Sequence, residues 1–151
     1  QYSNISVLVA EDNAHNLSIM IQILKKIGLI EKTIDSAKNG MEAVQKASIK
    51  LYDIIFMDLK MPVLDGFAAT KQILSLYKNR CPARYKERFV QLEHLKPTVI
   101  AMTACTTDAD QGRCRQVGMK GFLSKPLNVE EVEVMLNLAL KKRNDSRKEI
   151  N

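Results

Sequence analysis

The sequence has no run of eighteen apolar residues and no basic N-terminal segment leading into an apolar one, so neither a membrane span nor a secretory leader is expected in this stretch. Its three cysteines, Cys81, Cys105 and Cys114, are odd in number and lack metal-ligand spacing. That does not indicate a disulfide scaffold and points to reduced thiols in a cytoplasmic setting, any membrane anchor belonging to a longer parent protein. A first residue other than Met, Gln1, fits a piece cut from such a parent. Internal repeats, low-complexity tracts and a glycine-rich phosphate loop are all absent, the last of which excludes the common nucleotide-binding α/β proteins. His15 and His94 are isolated, and neither stands in a recognisable phosphohistidine context.

What is present suits one globular domain: 151 residues, 46% of them hydrophobic, supply a sizeable core but not a second full domain. The net charge of +6 resides largely in the Tyr77 to Lys96 region and in the Lys141 to Lys148 tail. Neither region shows a stacking motif or a DNA-reading helix, so solvated surface ranks first, a partner patch second and nucleic acid last.

Four short apolar runs end in polar residues. Ile5 to Ala10 runs into Glu11-Asp12-Asn13, Asp53 to Met57 into Asp58, Thr98 to Met102 into Thr103-Ala104, and Gly121 to Ser124 into Lys125-Pro126. Lys32 to Ala37 is a weaker, polar strand suited to a sheet edge. Helical spacing connects these runs: Leu17, Met20, Ile21, Leu24 and Ile27, then Val44, Ala47 and Leu51, then Phe67, Ile73, Leu74 and Tyr77, then Ala109, Cys114 and Val117, and last Val132, Met135, Leu136 and Ala139. Asn13, Thr107 and Asn128 are placed to cap helices, while Asn39-Gly40 and Asp65-Gly66 read as turns. Five strands alternating with five helices predict parallel βαβ units in an α/β sandwich.

The beat is interrupted at about residues 78–96. Arg80-Cys81-Pro82 should end the third helix, and Tyr85, Phe89 and Leu92 at i, i+4 and i+7 predict a short amphipathic helix inside an inserted segment. With Lys78, Arg80, Arg84, Lys86, Arg88 and Lys96 this segment is either a tolerated surface insertion or a docking surface for an acidic partner. The domain is expected to span residues 1–142, followed by a basic C-terminal tail over 143–151, with fraying expected from Lys141.

In a parallel sheet the strand ends share one edge, where a ligand crevice opens. Glu11, Asp12 and Asp58 gathered there would repel, and a hard divalent cation such as Mg2+, with Mn2+ as a substitute, relieves that repulsion. Asp58 can then remain an ionised nucleophile, and carboxylate attack on phosphorus gives an aspartyl phosphate. Lys125 supplies a point charge and Thr103 a hydroxyl donor for the phosphoryl oxygens.

These residues, in this order and context, are similar to the receiver domain of two-component response regulators. The carriers are Glu11-Asp12, the stretch Met57-Asp58-Leu59-Lys60-Met61-Pro62-Val63-Leu64-Asp65-Gly66, Met102-Thr103-Ala104, and Lys125-Pro126. The resemblance runs from about Ile5 to Leu140, and its opening, Val7 to Asn16, most resembles receivers fused to hybrid histidine kinases. It implies a flavodoxin-like, doubly wound, five-stranded parallel sheet of order 2-1-3-4-5, with an insertion between helix 3 and strand 4. It also implies that Asp58 takes a phosphoryl group from a phosphohistidine on a histidine kinase or histidine phosphotransfer protein. Asp12, Asp58 and the Lys60 backbone carbonyl would ligate the metal, Glu11 acting through water. Lys60, Thr103, Ala104 and Lys125 would surround the phosphoryl group, and Thr103 with Phe122 would form the switch. Phe122 departs from the tyrosine of many members and offers no hydroxyl. Other readings are a stand-alone regulator, an unphosphorylated scaffold, and a phosphatase of the haloacid dehalogenase type. The last needs a second Asp where Lys60 stands.

Overall fold

The chain folds as five strand-helix steps, and a computed structural model describes residues 2–79, 96–105 and 107–148 of it. In chain order these are β1 (Val7–Ala10), α1 (Ala14–Ile27), a 3-10 turn (Glu31–Thr33), β2 (Ile34–Ala37), α2 (Gly40–Ile49), β3 (Ile54–Asp58), α3 (Gly66–Asn79), β4 (Thr98–Thr103), α4 (Asp108–Val117), β5 (Gly121–Ser124) and α5 (Val129–Lys148). The sheet order is β2-β1-β3-β4-β5, parallel throughout. This is the flavodoxin-like order expected from the sequence. The chain moves outward from β1 to β2 and then returns past β1 to β3, so the order reverses between β1 and β3, where such sheets open a crevice.

Alternation along the buried strands divides the core in two. Leu8, Ala10, Ile55, Met57, Val99 and Ala101 face Ala43, Ala47, Phe67, Ala69, Ile73 and Cys114 from α2, α3 and α4. Val7, Val9, Ile54, Phe56, Ile100 and Met102 face Met20, Ile23, Leu24, Val132, Leu136 and Ala139 from α1 and α5. Strands covered on both faces have no polar side to show, which is why β1 and β3 read as continuous apolar runs.

Each helix starts on a side chain that accepts a backbone N–H two or three residues into it: Asn13 from Asn16, Asn39 from Glu42, Asp65 from Ala68, Thr107 from Asp110 and Asn128 from Glu131. Asn39 and Asp65, read from the sequence as turn residues, are therefore helix caps. The glycine after each is needed for close approach. A Cβ at Gly40 would lie 2.1 Å from the Leu64 carbonyl oxygen, and one at Gly66 would lie 2.2 Å from that of Asp58.

Two expectations change. The 3-10 turn takes Lys32 and Thr33, leaving β2 four residues long. The tail expected to fray from Lys141 instead continues α5 to Lys148. Arg143 explains this: it donates to the Lys96 carbonyl and to Asp53 at 3.3 Å, holding the last turns against the amino ends of β3 and β4. Of the expected insertion, residues 78 and 79 complete α3 and Lys96 leads into β4. The short helix read at Tyr85 to Leu92 lies outside the described residues, as does Cys81.

Candidate functional site

The carboxyl ends of β1, β3 and β4 and the start of the β5–α5 loop surround a cleft of about 280 Å3, lined by Glu11, Asp12, Asn13, Asn16, Asp58, Lys60, Thr103, Ala104, Cys105 and Lys125. Glu11, Asp12, Asp58, Lys60, Thr103, Ala104 and Lys125, all expected at the site from the sequence, are here. Phe122 lies one step away: it pairs with Ala101 across β4 and β5 and packs, partly buried, against the α2–α4 side of the core. Asn13, Asn16 and Cys105 also line the cleft without having been assigned to it. Asn13 had been read only as a cap, and Cys105 only as a thiol, although it stands two residues past Thr103.

Asp58 ends β3 and is 5% exposed, while Glu11, just past β1, is 2% exposed. Asp12 is exposed at the rim. One carboxylate oxygen from each of the three lies within 4.8 Å of the others. Lys125 reaches into this group, with its Nζ 2.8 Å from Glu11 Oε2 and 3.3 Å from Asp58 Oδ2. The other Glu11 oxygen accepts the Asn13 backbone N–H at 3.2 Å. Both Glu11 oxygens are thus engaged, and Asp12 and Asp58 line the cleft beside it.

Lys125 is the one ammonium shown paired with these carboxylates among the described residues, and the buried Asp58 and Glu11 still repel each other. Burial first, then repulsion from Glu11, pushes Asp58 from 3.8 up to about 6 against the pull of Lys125. Burial acts against the Lys125 charge, but the two carboxylates outweigh it and hold its pKa above the ordinary 10.5. The donor set is all oxygen, which fits a hard divalent cation. Opposite Asp58, the Thr103 hydroxyl donates to the Cys105 carbonyl at 2.8 Å and accepts the Cys105 N–H at 3.0 Å. Thr103 is 7% exposed.

The loop after Asp58 is held under strain. Leu64 N–H bonds the Pro62 carbonyl at 2.8 Å, closing a γ-turn around Val63, whose φ is 70°. The Leu64 carbonyl then accepts Gly40 N–H at 3.1 Å, and Gly66 N–H bonds the Leu59 carbonyl at 2.9 Å. The loop is thereby tied to α2 on one side and to the end of β3 on the other.

Comparison with known proteins matches residues 7–82 to the response regulator receiver domain. That span contains Glu11, Asp12 and Asp58; Thr103 and Lys125 lie beyond it. Hybrid signal transduction histidine kinase K of Dictyostelium discoideum is 33% identical over 147 residues, covering 93% of this chain. The chain spans only 11% of that relative's length. The receiver domain of the sensor histidine kinase PA1611 from Pseudomonas aeruginosa, solved with magnesium coordinated in its active-site cleft, superposes with a TM-score of 0.69 at 29% identity, covering 92% of this chain and 99% of that one. The receiver domain of Ssk1 from Saccharomyces cerevisiae, solved with the histidine phosphotransfer protein Ypd1, gives a TM-score of 0.70 at 30% identity and covers 87% and 86%. With the matching family model spanning half of it, the chain belongs to the response regulator receiver domains of two-component signalling.

Proposed function

We propose that Asp58 accepts a phosphoryl group from a phosphohistidine on a histidine kinase or histidine phosphotransfer protein, and that the resulting acyl phosphate relays a signal by changing the conformation of the domain. The observation that carries this reading is the burial of Asp58 in a cleft beside two further carboxylates, with the Lys125 ammonium paired to it. Such an arrangement is costly for stability alone, and its chemistry suits phosphoryl transfer.

In the transfer an Asp58 oxygen attacks phosphorus. The new O–P bond forms as the P–N bond to the donor imidazole breaks, and the bonding pair stays on the ring nitrogen. Asp12 and Asp58 would hold Mg2+ directly, or Mn2+ in its place, with Glu11 acting through water and the Lys60 carbonyl as a further ligand; such a cation would supply charge that neutralises the carboxylates and the phosphoryl oxygens. The engaged state of both Glu11 oxygens supports its outer place. The Lys125 ammonium, already beside Asp58, pairs with a phosphoryl oxygen. Thr103 must release the Cys105 carbonyl to donate to another. That release, with Phe122 repacking behind it, is the proposed switch, and Lys60 and Ala104 flank the entering group.

A hybrid histidine kinase is the proposed parent, in keeping with the relative found, and the partner is a phosphotransfer protein of the kind seated on Ssk1. Among the described residues no helix is long and apolar enough to cross a membrane. The test is intact-mass spectrometry after incubation with acetyl phosphate, with and without Mg2+. One added phosphoryl group that needs the metal and is missing from Asp58→Asn is the expected result. No adduct, together with Mg2+ binding shown separately and no beryllofluoride complex, would make the domain an unphosphorylated scaffold instead.

A further inference from the structure

A second cleft lies away from Asp58. About 580 Å3 in volume, it opens between α3, α4 and the start of β4, and is lined by Lys71, Leu74, Ser75, Lys96, Pro97, Gln116, Val117, Gly118 and Lys120. Its floor is apolar: Leu74 and Val117 pack partly buried against the core. Gly118 closes it, since a Cβ there would lie 2.5 Å from Leu74 Cδ1, so the end of α4 presses directly on α3.

Three lysines and, among the described residues, no carboxylate line this cleft. Among the described residues none of the three makes an ion pair, whereas Lys25, Lys46, Lys50 and Lys125 all do. Their presence is not accounted for by the helix beside them. The end of α4 is already closed by Gly118 N–H on the Arg115 carbonyl at 3.1 Å and by Met119 N–H on the Cys114 carbonyl at 2.9 Å. Ammonium groups gathered without a counter-charge repel one another, a cost that an anionic partner removes.

We propose that this cleft is a docking site for an acidic polypeptide segment, its carboxylates paired with Lys71, Lys96 and Lys120 and one apolar side chain seated on Leu74, Pro97 and Val117. Charge complementarity selects the acidic partner, and the apolar floor selects a polypeptide over a purely polyanionic surface. The site uses none of the residues around Asp58.

The experiment is a titration of the isotope-labelled chain with the peptide Glu-Asp-Leu-Glu-Glu-Asp, followed by backbone amide shifts. Expected are saturable shifts at Leu74, Ser75, Val117, Gly118 and Lys120, abolished at about 0.5 M salt, where screening confines surface charges to a few ångströms. The same peptide with serine for leucine should bind more weakly. Replacing Lys71→Gln and Lys120→Gln together should weaken binding about three- to tenfold. The double variant should keep its amide dispersion and phosphorylation by acetyl phosphate, which excludes unfolding as the cause. Shifts spread over all surface lysines, no saturable shifts in the cleft, or tighter binding there of phosphatidylserine vesicles or single-stranded DNA than of the peptide would each overturn the proposal.

Discussion

Asp58, the proposed phosphoacceptor, is ionised at the expense of the fold. Its pKa rises from 3.8 to about 6 when the chain folds, so the folded state prefers the protonated form. Below the lower value the group is protonated in both states and costs nothing; as pH rises through the interval the cost grows, reaching on the order of 3 kcal/mol above the upper value. In chelator-containing buffer, Asp58→Asn is therefore expected to be more stable than the parent at neutral pH, with the difference shrinking as pH falls through that interval. Added Mg2+ should stabilise the parent and leave the variant nearly unchanged. Melting curves across pH, with and without metal, check both. Val63 holds strain of another kind: a β-branched residue at φ 70°, and 76% exposed, it has almost no packing to lose. Val63→Gly should stabilise the domain by about 1 kcal/mol, the relief of left-handed strain exceeding the added chain entropy. A lower urea midpoint for the variant would show that Val63 is not strained.

At the scale of elements, β2 owes its place to side chains as much as to its own weak sequence. Only four residues long, it is one of the two sheet edges, and Asp35 within it accepts the Tyr52 hydroxyl at 2.7 Å and the Lys50 ammonium at 2.9 Å. Burial opposes the Asp35 charge, but these two partners outweigh it and hold its pKa below 3.8. Burial, reinforced by Asp35, raises Tyr52 above its ordinary 10.0. The signs then follow. The Asp35 contribution is present above its unfolded pKa and is lost as pH falls through the folded one, and the Tyr52 contribution is lost as pH rises above its unfolded value. Tyr52→Phe is expected to cost about 1 kcal/mol at neutral pH and to reduce the loss of stability on the alkaline side; denaturant titrations at neutral and alkaline pH would show both. Of this, the sequence discloses the edge strand, because polarity along a β run marks an edge. It does not disclose the bridge, because Asp35 and Tyr52 are brought together by the sheet rather than by spacing. The site divides in the same way. Glu11, Asp58, Thr103 and Lys125 are legible since each ends a strand and parallel strands share an edge, whereas the turning of the Thr103 hydroxyl onto the Cys105 carbonyl is a rotamer choice with no trace in the chain's pattern.

Across the whole molecule, the edge opposite Asp58 is closed by groups far apart in sequence. Asp53 Oδ2 accepts Ser6 N–H at 2.9 Å, and its other oxygen faces Arg143 at 3.3 Å. Arg143 also caps the Lys96 carbonyl, and its side chain is only 9% exposed. One guanidinium thus joins the starts of β1, β3 and β4 to α5. This is why α5 persists to Lys148 where a charged sequence suggests fraying: the expectation weighed Lys141 to Lys148 by local composition, and the anchor lies 90 residues away. Removing it exposes the difference between a helix held by its own propensity and one held by tertiary contact. Arg143→Ala leaves Asp53 and the Lys96 carbonyl partly buried with a partner lost, and should cost about 2 to 3 kcal/mol. Arg143→Lys should recover only part, since an ammonium cannot reproduce the planar fork. Hydrogen exchange gives the sharper reading. In Arg143→Ala the amides from Lys141 to Lys148 should lose protection while those of Val132 to Leu136, packed in the α1–α5 core, keep theirs, and acetyl phosphate should still modify Asp58. Uniform loss of protection along α5 would mean instead that the clamp supports the entire helix.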